Sequence, residues 1–131
     1  MNDESQNPSD NLTSDLSQFD QHKGDDHAVF HDLTVGTGDE AAVGRAATVN
    51  YRGWLTDGTV FDESYSRGQA FTFTPGEHRV ITGWEEGVIG MKVGGKRRLV
   101  VPPAVGYGDR STGPIPAGSV LIFDIELLEV R

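Results

Sequence analysis

The sequence predicts an α+β domain, built mostly of short strands with one brief helix. Three observations point there. Of 17 glycines, 16 fall in residues 28–131, as do five of the six prolines, so turns are frequent and elements short. Several segments alternate apolar and polar residues with the period of two that a half-buried strand requires. Only one segment carries helix-start chemistry.

The elements follow in order. Residues 29–35 read as a first strand, closed by the turn Gly36-Thr37-Gly38-Asp39. Residues 46–55 form a second, with Val49 and Tyr51 on one face and Thr48, Asn50 and Arg52 on the other. Asp57-Gly58 is a two-residue hairpin signal, because both positions tolerate positive φ, and residues 59–62 return as the partner strand. Phe71 and Phe73 alternate with Thr72 and Thr74 in a further short strand, and the polar stretch 63–69 bulges between the two. Thr82-Gly83-Trp84-Glu85 fits a capping box, with Thr82 as N-cap, Trp84 and Val88 on one face and Gly90 as the stop. A helix barely two turns long does not form alone, so a sheet must hold it and bury Trp84. Residues 96–101 are a strand before Pro102-Pro103. Residues 120–130 are the last and clearest, with Leu121, Phe123, Ile125 and Leu127 on one face and Asp124 and Glu126 on the other.

Composition bounds the rest. The chain has 131 residues, enough for one compact domain. It carries 11 Lys+Arg against 20 Asp+Glu, a net charge of −9, which a nucleic-acid binder would not tolerate against phosphate repulsion. With no cysteine, disulfides, thiolate metal sites and cysteine nucleophiles are excluded. No apolar run approaches the roughly 20 residues of a membrane span, and the acidic start is unlike a signal peptide. A cytoplasmic, monomeric protein is expected. Residues 1–27 hold seven acids, one base and four apolar residues, too few to offset the entropy of ordering. They read as a disordered acidic tail preceding the domain at 28–131. A helix through Leu12, Leu16 and Phe19 is the weaker alternative, since three apolar residues make a small face.

Several motifs fail on context. Gly90-Met91-Lys92-Val93-Gly94-Gly95-Lys96 resembles a phosphate loop, but Arg97 stands where Ser or Thr would bind magnesium, and the loop follows a helix. Its Lys96-Arg97-Arg98 reads instead as a solvated strand face. Asn11-Leu12-Thr13 is a glycosylation sequon without secretion. His22, His27 and His31 lie near Asp25 and Asp26, but beside a disordered tail they read as free side chains, so no metal is expected. No nucleophile elbow and no paired carboxylates are evident.

What remains is an unusual set of rings: Tyr51, Phe61, Phe71, Phe73, Trp84, Tyr107 and Phe123 are spread over every expected element. Each alone fits a core. Together they exceed what this domain needs and suit the lining of an apolar pocket. Six blocks then appear in order: Val49-Asn50-Tyr51-Arg52-Gly53, Asp57-Gly58-Thr59-Val60-Phe61-Asp62, Val80-Ile81-Thr82-Gly83-Trp84-Glu85-Glu86-Gly87-Val88, Gly94-Gly95-Lys96-Arg97-Arg98, Gly106-Tyr107-Gly108 with Ile115-Pro116, and Leu121-Ile122-Phe123-Asp124-Ile125-Glu126-Leu127-Leu128. Over residues 28–131 the chain resembles FKBP-type peptidyl-prolyl cis-trans isomerases.

The resemblance implies a twisted antiparallel sheet of about five strands wrapped around one short helix. It implies a pocket of Tyr51, Phe61, Asp62, Phe71, Val80, Ile81, Trp84, Tyr107, Ile115 and Phe123, with Arg67 by the rim. Trp84 would be the floor under the proline ring. The Tyr107 hydroxyl and the Ile81 N–H would each meet a substrate carbonyl, and Asp62 would orient the site near Tyr51 and Arg67. Asp62, Tyr107, Trp84, Phe61 and Phe123 are the expected catalytic set; Tyr51, Phe71, Val80, Ile81, Ile115 and Arg67 bind substrate. Arg79 departs from the family pattern at the rim, and the loop from Gly108 to Pro114 is about one residue short. Expected partners are proline-containing polypeptides in folding and macrolide inhibitors of the immunosuppressant type, with no cofactor, metal, nucleic acid or membrane. The alternative is a non-catalytic module that grips proline-containing segments.

Overall fold

The computed structural model describes residues 16–131. A 3-10 helix, Leu16–His22, precedes β1 (Val29–Thr34), β2 (Ala47–Leu55), β3 (Val60–Glu63), β4 (Phe71–Phe73), α1 (Thr82–Gly87), β5 (Lys96–Val101), a 3-10 turn at Pro103–Val105 and β6 (Leu121–Val130). All strand pairings are antiparallel, in the order β1-β5-β6-β2-β3, with β4 also paired to β2. Six strands therefore fill five positions. β3 pairs with residues 52–54 of β2 and β4 with residues 47–49, so one sheet edge is split by the loop after Glu63. The expected strands stand within one residue of their expected bounds.

The two faces of the sheet bury different clusters. On the inner face Val49, Tyr51, Leu99, Val101, Phe123, Ile125 and Leu127 pack around Trp84 and Val88. The helix approaches so closely that it needs glycine at the contacts. A Cβ on Gly83 would lie 2.7 Å from Val101 Cγ1, and one on Gly87 2.3 Å from Leu99 Cδ1. Both neighbours are fully buried and have no room to yield. That contact substitutes for the stability that so short a helix lacks.

Four expectations change at this level. Ile81, extended at φ −61 and ψ 151, is the N-cap, and no side chain caps the helix. Thr82 is already helical, and Glu85 accepts a hydrogen bond from the Gly76 N–H, so the capping box does not form. The helix also ends at Gly87, ahead of Gly90. The hairpin between β2 and β3 has three loop residues, Thr56, Asp57 and Gly58, because Leu55 N–H donates to Thr59 C=O at 2.9 Å. Only Gly58 takes positive φ (91°) there; Asp57 stays in the ordinary region and accepts from the Thr59 N–H.

The Lys96-Arg97-Arg98 face is not solvated. Arg98 is wholly buried and makes a two-pronged pair with Asp124, at 2.6 and 2.7 Å, directly across the β5–β6 register. Arg97 is 5% exposed, pairs with Asp32 at 2.7 Å and donates to the carbonyls of Gly87, the last residue of α1, and Ile89 just beyond it. Planar guanidinium groups reach partners that the charge pattern alone does not reveal.

The expected disordered tail also needs correction in its second half. Leu16 and Phe19 are 3% and 4% exposed, packed on Trp54, Val100, Val120 and Ile122 on the outer face. Asp20 accepts from the Thr56 hydroxyl at 2.8 Å. Two anchors suffice because the sheet already presents an apolar surface, and each buried side chain contributes about 1.5–3 kcal/mol. The rest of the tail expectation, with Leu12 and the sequon, lies outside the described residues.

Candidate active site

The pocket opens on the inner side of the sheet, over α1. Trp84, 4% exposed, is its floor. Its ring meets Tyr51 from β2 at 5.0 Å and 85°, and Phe123 from β6 at 5.3 Å and 88°. Phe61 from β3 stands edge-on to Phe123 at 5.5 Å, and Phe71 from β4 is 6.0 Å from Trp84. Edge-to-face packing places positive ring edges against negative faces and fixes each ring's angle. Gly53 makes this possible, since a Cβ there would sit 2.7 Å from Phe61 and 2.9 Å from Phe123. The cleft has a volume of about 270 Å³ and is lined by Val80, Ile81, Arg79, Asp62 and Tyr107 besides the four walls and floor.

One edge of the cleft is a closed polar ring. Tyr51 donates its hydroxyl proton to Asp62 Oδ2 at 2.6 Å. Arg67 donates from Nη1 to Asp62 Oδ1 at 2.7 Å and from Nη2 to the Tyr51 hydroxyl at 2.9 Å. Burial pushes the Tyr51 phenol up, and the Asp62 carboxylate adds to that. Burial pushes the Asp62 carboxyl up too, but the hydrogen bonds from Tyr51 and Arg67 outweigh it and hold the group below the usual carboxylate range. Near neutral pH Tyr51 is therefore protonated and Asp62 ionised. Both Asp62 oxygens are engaged, which ties Tyr51 and Arg67 to β3.

Other donors are left open. Among the described residues, the Ile81 N–H, the Tyr107 hydroxyl and the Trp84 indole Nε1 have no hydrogen-bond partner within the chain. Trp84 Nε1 is buried, where an unpaired donor costs about 1–3 kcal/mol. The Ile81 N–H and the Tyr107 hydroxyl belong to residues lining the cleft and mark places where a ligand can complete the bonding, whereas Trp84 Nε1 is closed off inside the protein.

The structure brings together nine of the eleven expected residues along the cleft: Tyr51, Phe61, Asp62, Phe71, Val80, Ile81, Trp84, Tyr107 and Phe123. Arg67 stands behind the lining, bonded to Asp62 and Tyr51. Ile115 is 5% exposed and belongs to the inner core, supporting the cleft without lining it. Phe73, one of the ring set read from the sequence, backs Trp84 at 5.5 Å without lining the cleft. One residue was missed. Ser64 is wholly buried; its hydroxyl accepts from the Tyr51 N–H at 2.9 Å and donates to Asn50 Oδ1. A serine in a polar stretch gives no sign of that role.

Residues 38–128 match the family model of the FKBP-type peptidyl-prolyl cis-trans isomerases. An FK506-binding protein of Neisseria meningitidis serogroup A is 50% identical over 103 residues, covering 78% of this chain and 94% of the relative. FK506-binding protein 2 of Emericella nidulans is 54% identical over 89 residues, 67% of this chain and 66% of the relative. The crystal structure of AtFKBP13 superposes with a TM-score of 0.75 at 42% identity, covering 79% of this chain and 93% of that one. FkpA from Escherichia coli gives 0.76 at 33% identity, covering 94% of this chain and 62% of that one. Pocket, sheet order and relatives agree: the chain belongs to the FKBP-type peptidyl-prolyl cis-trans isomerases and is an enzyme of that kind.

Proposed function

We propose that this cleft accelerates X–Pro rotation by solvating the twisted amide better than the planar one. Twisting costs about 18–20 kcal/mol because resonance is lost. No bond breaks and no proton has to move. The twisted amide has a less polarised carbonyl than either planar isomer, so transfer from water to an aromatic cleft favours it. That difference between transition state and ground state is what raises a rate. A thousandfold acceleration requires about 4 kcal/mol.

In this account the proline ring lies on Trp84 between Phe61, Phe71 and Phe123. The Ile81 N–H and the Tyr107 hydroxyl each donate to a substrate carbonyl, fixing one side of the bond while the other turns. The observation that carries the proposal is the pairing of an apolar, ring-walled floor with two donors, the Ile81 N–H and the Tyr107 hydroxyl, that no described group satisfies. Asp62 and Arg67 keep Tyr51 oriented. The relatives' name, FK506-binding protein, supports a macrolide of that type as a competitor for the same floor.

Turnover of an Ala-Leu-Pro-Phe peptide tests this. Trp84→Leu is expected to lower kcat/KM about tenfold or more, with Asp62→Ala lowering it less. FK506 should inhibit the wild type and protect it against unfolding. Equal turnover by wild type and both variants would overturn the pocket mechanism.

A further inference from the structure

We infer that Arg79 makes this isomerase prefer substrates with an acidic side chain close to the proline. The inference rests on the isomerase function of the cleft and adds a substrate class to it. Charge at the mouth is the first ground. Besides the two tyrosines, the ionisable side chains lining the cleft are Asp62 and Arg79, with Arg67 standing behind Asp62. Asp62 and Arg67 neutralise each other at 2.7 Å. Arg79 lines the cleft, is exposed, and has no ion pair or hydrogen bond among the described residues. The mouth therefore carries one uncompensated positive charge on a chain whose net charge is −9.

Backbone placement is the second ground. His78, immediately before Arg79, takes φ 57°, and it is the single non-glycine residue with positive φ among those described. A side chain there costs about 1–2 kcal/mol of strain. The turn sets Arg79 two residues ahead of the free Ile81 N–H, and both residues line the cleft. A peptide held by Ile81 carries its neighbouring side chains past the guanidinium. A carboxylate there gains a planar, two-pronged donor; a lysine is repelled.

The general field of the chain repels acidic peptides, so only a local cation reverses the preference. The test uses blocked peptides with Glu, Gln or Lys placed in turn at each position flanking a Leu-Pro bond, and follows exchange by NMR. At one position the wild type is expected to favour Glu over Gln in kcat/KM by about two- to fivefold at low salt. Salt at about 0.5 M should erase the difference. Arg79→Gln should bring the ratio to one, and Arg79→Glu should shift preference to Lys. Arg79 makes no internal bond, so these variants keep the fold. A wild type indifferent at every position, or a Glu preference that survives in both variants, overturns the inference. Failure to turn over even the Gln peptides would instead sink the pocket mechanism.

Discussion

The two tryptophans lie on opposite faces of one sheet, and their surroundings differ in completeness. Trp54, on the outer face, is covered by Leu16 and Phe19 and flanked by the Arg98–Asp124 pair, whose guanidinium lies 5.3 Å from its ring. Trp84, on the inner face, is walled by four aromatic rings yet faces a cleft, where two donors, the Ile81 N–H and the Tyr107 hydroxyl, lack partners among the described residues. One face is closed and holds the fold. The other leaves polar groups unpaired, which costs stability, and in the proposed mechanism substrate completes them. Incomplete bonding in an otherwise well-packed molecule is thus the physical mark of the working side.

Breaking the closed face should cost most. Arg98→Met leaves Asp124 buried without its partner, and urea unfolding should report a loss of about 3–5 kcal/mol. Changing Asp124→Leu in addition should restore most of it. Next is the cover itself: Phe19→Ala should cost about 1.5–3 kcal/mol with kcat/KM of the folded protein unchanged. A fall in kcat/KM for Phe19→Ala would mean the two faces are coupled through Asp20, Thr56 and the neighbouring loop. The smallest effect belongs to the open face. Tyr107→Phe removes one hydrogen bond worth about 0.5–1.5 kcal/mol, so kcat/KM should drop roughly two- to twelvefold. Its unfolding midpoint should stay put, since the hydroxyl has no partner among the described residues.

The same contrast explains what the sequence revealed. Period-two alternation located the strands of the inner face, and the order of ring-bearing blocks located the cleft, because both are repeated signals. The outer face depended on single residues. Leu16 and Phe19 are two apolar positions in an acidic stretch, too few to register as a buried face. Arg97 and Arg98 read as solvent-facing because a strand pattern assigns charges outward, and only cross-strand register places Asp124 opposite Arg98. The missing capping box has a similar cause: Glu85 serves the Gly76 backbone, a tertiary partner that local spacing does not show.

The mechanism makes one direct demand: no group in the cleft changes protonation or passes a proton during turnover. Asp62, held below the usual carboxylate range, stays ionised at any pH above that range. Tyr51, pushed above the ordinary phenol value, stays protonated well past neutrality. The decisive measurement is kcat/KM for a neutral, blocked Leu-Pro peptide from about pH 5 to 8, by NMR exchange without a coupling protease. A profile flat within about twofold is predicted. A limb or bell with an apparent pKa inside that interval would show acid–base chemistry at the bond and contradict rotation driven by desolvation and fixed donors.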